Sequence, residues 1–185
     1  MSETFDNDIA ESVDHLFRQR AGQMIAVLTR LFGVARLDDI EDVVQEAMIQ
    51  ALRQWPLQGQ PDNPAAWLIQ TAKNRMLDRL RRAARLTDAA QIVELPAPDV
   101  AGQVSFTHEI ADDQLRMIFI CCHPLIPADS RIALTLKIVS GFSVREIARA
   151  FLAGEPAIAR MLSRAKLQLR ERHISLEMPA PEHLP

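Results

Sequence analysis

The sequence contains no tyrosine, six glycines, and two cysteines that stand side by side. Each scarcity removes a class of protein. Glycine is too rare for a fold of tight hairpins, and nowhere do β-branched residues alternate over a strand length; the apolar residues recur at three and four, which reads as all-α. No glycine-rich loop is present to cradle phosphate, and the acids and histidines form no catalytic pattern, so nothing supports an enzyme. Cys121 and Cys122 give no disulfide framework, because the bond geometry disfavours a bridge between neighbours. His123 follows them without a spacer, so the three cannot wrap a tetrahedral metal; a buried helix end accounts for them, and neither metal nor cofactor is expected. No run approaches the roughly 20 apolar residues of a membrane span. The start, MSETFDNDIAESVDH, is acidic where a secretory signal would be basic and then apolar, so the expected location is the cytoplasm, with no membrane partner.

What the chain has in quantity is helix-forming material. Of its 185 residues 48% are hydrophobic and 24% charged, enough to bury a core in one domain or two small ones. The spacing predicts a first helix from about Ile9 to Phe32, with Val13, Leu16, Phe17, Met24, Val27, Leu28 and Leu31 on one stripe. A second runs from about Asp39 to Trp55, with Ile40, Val43, Val44, Ala47, Met48 and Ala51 inward. A third follows QGQPDNP, where Asn63 caps and Pro64 takes the first helical position, and it extends to about Arg85. Residues 1–86 form the first unit. Residues 87–106, acidic, bearing two prolines and little periodicity, read as a flexible linker. The second unit, 107–174, should hold helices near 108–122, 128–140, 143–151 and 155–172, and the proline-rich 175–185 reads as a disordered tail.

Residues 143–172, SVREIARAFLAGEPAIARMLSRAKLQLRER, describe two helices and a turn. Ser143 and Glu146 have the spacing of a capping box. Val144, Ile147, Ala148 and Phe151 line one face, and Glu155-Pro156 restarts a helix. In that second helix Ile158, Met161, Leu162, Ala165 and Leu169 face inward, leaving Pro156, Arg160, Ser163, Arg164 and Leu167 outside. Helix-turn-helix geometry lays such a helix in the major groove, where arginine pairs with guanine. A hairpin with a merely solvated basic face is the competing account.

The third helix weighs against that account. With Ala65, Leu68, Ile69, Ala72, Met76 and Leu80 inward, its other side carries Trp67, Gln70, Asn74, Asp78, Arg81 and Arg85. Single-stranded nucleic acid is held by aromatic stacking beside cations; Trp67 packed under the loop PLQGQPDNP is the alternative, and both can be true. Lys73, Arg75, Arg79, Arg81, Arg82 and Arg85 stand against Asp78 alone, a basic patch inside a chain of net charge −3. The second helix turns out Asp39, Asp42, Glu46, Gln50 and Arg53, with Ile49 beside them. That face repels DNA and suits a basic protein surface, or is simply solvated.

The stretches DDIEDVVQEAMIQALRQW and PDNPAAWLIQTAKNRMLDRLRR resemble region two of bacterial sigma factors, and residues 143–172 resemble their region four. The order, with an intervening linker, is that of the extracytoplasmic-function (ECF) class. The resemblance implies two small helical domains joined by the acidic linker, core RNA polymerase (its β′ clamp helices and β flap) and promoter DNA as partners, and transcription initiation without chemistry of its own. It implies polymerase contacts at Asp39, Asp42, Gln45 and Glu46. It implies −10 contacts at Trp67, Lys73, Asn74, Arg75, Asp78 and Arg81, and −35 contacts at Arg160, Ser163, Arg164 and Lys166. The linker would thread toward the polymerase active site. The turn departs from the family pattern, with Leu152 where glycine is usual and Gly154 two places on. The wording IFICCHPLIP…ARAFLAGEPAIARMLSRAK resembles a subgroup with a long helical, repeat-like C-terminal domain, so the chain is expected to be a fragment; that extension, or an anti-sigma factor, is a further expected partner. The alternative function is a helix-turn-helix regulator that works without being a polymerase subunit, which would need a dimer to double its half-site.

Overall fold

Asn63 accepts the backbone N–H of Ala66 on its side-chain oxygen at 3.0 Å, and Pro64 opens the helix behind it, as the local sequence demands. The same agreement recurs at Ser143, whose hydroxyl accepts from the N–H of Glu146 while the Glu146 carboxylate accepts from the N–H of Ser143. These caps fix the starts of two helices in a computed structural model that describes residues 18–86 and 108–171. The expected linker and tail, with Val13, Leu16 and Phe17, lie outside the described residues.

Helix α1 occupies residues 18–32, followed by a 3-10 turn, Val34–Arg36; α2 is Leu37–Gln58 and α3 Pro64–Leu86. Then come α4 His108–Cys121, α5 Ala128–Ile138, α6 Val144–Ala150 and α7 Glu155–Glu171. The described residues are helical and carry no strand. Gly33, at φ 85°, ends α1 by returning its N–H to the Thr29 carbonyl, a backbone angle that favours glycine. Helix α2 runs through Pro56 because the proline falls in the last turn, where it removes a single bond.

Helices α2 and α3 form an antiparallel pair that buries Ile40, Val43, Val44, Ala47 and Ala51 against Leu68, Ala72, Met76 and Leu80, with Met24 and Leu28 of α1 closing the unit. Met117, Ile120, Leu134, Ile138, Ile147, Ile158, Leu162 and Leu169 make the core of the second. The two cores are continuous. Among the described residues polar links cross between them: Arg18 to Glu146 at 2.7 Å, Arg30 to Asp113 at 2.9 Å, and Lys166 to Asp38 at 2.8 Å and to Glu41. The sequence reading anticipated the two helical units but not this packing of one on the other.

The turn between α6 and α7 has Leu152 at φ 50° with its side chain 96% exposed, so no burial offsets the left-handed backbone. Gly154 does not take the positive φ. Leucine therefore does what glycine does at lower steric cost. Leu152→Gly should stabilise the protein by about 0.5–1 kcal/mol, the relief of strain exceeding the extra freedom of the unfolded chain. Urea titration should show a higher midpoint at unchanged slope.

Candidate nucleic-acid and protein interfaces

Helix α7 buries Ile158, Leu162, Ala165 and Leu169 and leaves Arg160, Ser163 and Arg164 exposed on the opposite side. The structure thus brings three of the four expected −35 residues to one surface. Lys166 is not among them. It lies about 120° around the helix from Arg160, is only 16% exposed, and donates to Asp38 and Glu41 of α2. Burial pulls its ammonium toward a lower pKa, but the adjacent Glu41 and Asp38 carboxylates outweigh that and hold it raised.

On α3, Asn74 and Asp78 are exposed, with Trp67 and Gln70 half-buried above them. Trp67 packs edge-on against Trp55 of α2, the ring centroids 5.6 Å apart at 64°. Its neighbour is thus the end of α2. Asn74 accepts from the Gln70 side-chain amide at 2.9 Å, and Asp78 accepts from Arg81 at 3.2 Å.

Two of the expected −10 cations stand elsewhere. Lys73 is 2% exposed. It follows Ile69 by four and precedes Met76 and Leu80 by three and seven, so the helical period that buries them buries it. Arg75 donates to Glu46 at 2.8 Å and to Gln50 at 2.7 Å. Arg79 reaches Glu46 at 2.6 Å, Asp42 at 3.2 Å and Asp39 at 3.5 Å. The basic patch therefore narrows to the C-terminal end of α3, where Arg81, Arg82 and Arg85 are exposed.

Those bonds also change the acidic face of α2. Asp39, Asp42 and Glu46 point outward, yet all three are held by Arg79, while Gln45 stays exposed beside them. The Arg79 hydrogen bond holds the Glu46 carboxyl below the usual range, against a smaller opposing effect of burial and with help from Arg75. Sequence reasoning missed Arg79 as a clamp, and missed Asp38 and Glu41 altogether. A signal existed for the clamp: Arg75 and Arg79 are four apart on one helix, and Asp39, Asp42 and Glu46 are spaced by three and four on its antiparallel partner.

Reversing charge at these acids should have unequal results. The Asp42 side chain is 64% exposed and shares one long bond, so Asp42→Lys should leave stability within about 0.5 kcal/mol. Glu46→Lys strips partners from both Arg75 and Arg79 and adds a third cation, and after solvent screening should cost about 1–2 kcal/mol. Glu46→Gln gives the pH check. Because the folded carboxyl titrates below its unfolded value, the contribution is full above the ordinary glutamate pKa and fades as pH falls through the lower folded one. The stability gap between Glu46→Gln and the parent should accordingly shrink as pH falls below the ordinary glutamate range; a gap constant from pH 7 to pH 3 would show that the clamp contributes nothing.

Cys121 is buried and Cys122 exposed, and burial, then the neighbouring Cys122, pushes the Cys121 thiol up to about 12. Among the described residues no group of three or more histidine, cysteine or acidic side chains could hold a metal. No described helix is long and apolar enough to cross a membrane.

Comparison with known proteins places these two surfaces in matched segments. Residues 16–86 match the family profile of Sigma-70 region 2, and residues 116–169 match that of Sigma-70, region 4. A protein of Rhizobium meliloti (strain 1021), whose name assigns no function, is 40% identical over 162 residues, which are 85% of this chain and 38% of that relative. The chain thus spans less than two fifths of the relative's length.

Proposed function

We propose, for a chain that belongs to the sigma-70 family of transcription initiation factors, that it acts as an ECF-type sigma factor: it binds core RNA polymerase, directs it to promoters through −35 and −10 elements, and assists melting. The observation that carries this reading is the pairing of two different DNA-type surfaces on one chain. The exposed face of α7, with Arg160, Ser163 and Arg164, suits the edges and phosphates of a duplex major groove. The stripe of α3, with Trp67, Asn74 and Arg81, offers a ring, an amide and a cation, the chemistry that holds unpaired bases. A repressor needs the first surface and has no use for the second.

The N-terminal half of α2 supplies the polymerase contact in this reading. Asp42 and Gln45 are exposed there, and a basic or polar partner such as the β′ clamp helices would complement them. The second unit would meet the β flap, and the site of action is the cytoplasm, where polymerase and promoter are. The protein has no reaction of its own in this scheme. Reconstitution tests it: core polymerase, a promoter library and the full chain should yield transcripts whose starts depend on the chain. Binding of duplex without polymerase, and no dependent transcripts, would identify a regulator instead.

A further inference from the structure

Between α1, α2 and α5 the packing leaves a cavity of about 170 Å³. Its walls are largely apolar, built by Ala21 and Ile25 of α1, Val44 and Met48 of α2, and Ile138 of α5. Gln45, which is exposed, also lines it, so the cavity reaches the surface. Voids larger than a water molecule are few in a folded interior, because side chains interdigitate until they touch. Here two backbone contacts stop that. A methyl group on Gly22 would lie 2.4 Å from the Val139 carbonyl oxygen, and one on Gly141 would lie 2.8 Å from Cβ of Arg18, so α1 already stands as near the end of α5 as the main chain allows. The helices cannot close further on the void, which is therefore formed before any ligand arrives.

The charged side chains on its walls are Arg18, Glu41 and Lys137. Two of these are answered from outside the cavity. Arg18 donates to Glu146 at 2.7 Å and stands 6.0 Å over the ring of Phe142, and Glu41 accepts from Lys166. Lys137 is left over. It is half-buried, and among the described residues it makes no hydrogen bond or ion pair. Its place in the last turn of α5, where the helix dipole favours a cation, accounts for the charge but uses none of its N–H donors. An ammonium beside an apolar cavity, partly stripped of water and with donors unused, is complemented by an anion.

We propose that this cavity is a binding site for a small organic carboxylate, whose apolar body enters between Ile25, Val44, Met48 and Ile138 while its carboxylate meets the Lys137 ammonium. The volume sets the body. An apolar cavity of about 150 Å³ takes benzene, so this one has room for a single ring or a short branched chain. Met48, with its flexible thioether, adapts the wall to either shape. The leftover charge sets the head group: a hydrocarbon would leave Lys137 unanswered, and inorganic phosphate would leave the apolar walls bare. Arg160, Arg164, Asn74 and Arg81 take no part in the lining, so the site is separate from the surfaces assigned to DNA.

Methyl NMR of the full chain reads the site directly. Benzoate, cyclohexanecarboxylate and 3-methylbutanoate, each titrated into the millimolar range, should shift the methyl groups of Ile25, Met48 and Ile138 along one saturable curve. Two probes take the ligand apart. Benzyl alcohol keeps the ring and lacks the charge, and propionate, which stands for an acidic side chain of a peptide, keeps the charge and lacks the body. Each should bind at least about tenfold more weakly than benzoate. Lys137→Met should bring benzoate down to the level of benzyl alcohol while leaving benzyl alcohol unchanged, and Lys137→Arg should restore most of the benzoate affinity. Ala21→Leu fills the void and should abolish binding of both rings, with helicity and the distant methyl signals kept as in the parent. Should that variant fail to fold, the two Lys137 variants decide alone. The proposal is overturned if none of the three carboxylates shifts these methyls saturably, or if the shifts centre on methyls outside the cavity. It is equally overturned if Lys137→Met binds benzoate as the parent does, or if propionate binds as tightly as benzoate.

Discussion

Arg160→Ala and Arg164→Ala should each weaken binding to a −35 duplex by roughly 5–150-fold, whereas Lys166→Ala should leave it nearly unchanged. The contrast follows from where α7 points these side chains. Arg160 and Arg164 stand clear of the protein on the side opposite Ile158 and Leu162, and Lys166 is turned into Asp38 and Glu41. A paired arginine contact to a base edge contributes about 1–3 kcal/mol, and it discriminates among bases; a phosphate contact weakens all sequences alike and lowers the salt dependence. Titrations of a −35 variant set at two salt concentrations separate these cases. Should the two arginine variants bind as the parent does while Lys166→Ala does not, α7 would have to dock by another face.

Features set by neighbours in the chain were legible in the sequence. The cap at Asn63, the capping box of Ser143 and Glu146, and the apolar stripes of α2, α3 and α7 depend on residues three or four apart, and they stand where the period puts them. Lys73 was also legible: its intervals to Ile69, Met76 and Leu80 place it inward, and reading it as a surface cation let charge override period. The Arg79 clamp was legible only once α2 and α3 were known to pair antiparallel. Lys166 was not legible at all. Its partners lie 128 and 125 residues away, and nothing local marks a lysine beside an exposed arginine as one that will turn back. Charge counting failed for the same reason at both places. A cation is lost to a surface when it is buried or held by an acid of another helix, as Lys73, Arg75 and Lys166 are among the expected DNA contacts, whereas Arg81 shares only an exposed bond with Asp78 of its own helix.

That reduction sharpens what is expected of Asn74. With Arg75 committed to Glu46 and Gln50, Asn74 is an exposed polar group in the middle of α3, one turn from Gln70 and from Asp78. Its carbonyl oxygen accepts from Gln70, which leaves the amide N–H groups to donate. An amide donor suits the acceptor edge of an unpaired base, while Trp67 above it offers a ring face to stack on. Opening a duplex costs a few kcal/mol per unstacked base, so a contact made only to the opened strand moves the equilibrium toward melting. Asn74→Ala should therefore bind core polymerase and a −35 duplex as the parent does, yet form open complexes some 5–150-fold less well, the equivalent of about 1–3 kcal/mol. A template already mismatched across the −10 element needs no melting and should recover most of the loss. Gln70→Ala should give a milder form of the same defect, since it frees the Asn74 carbonyl without removing the donor. Permanganate reactivity of the melted thymines, compared on duplex and mismatched templates, reads all of this directly. Equal reactivity of Asn74→Ala and parent on the duplex would make Asn74 an ordinary solvated residue and would leave Trp67 and the arginines beyond Asp78 as the strand-holding surface.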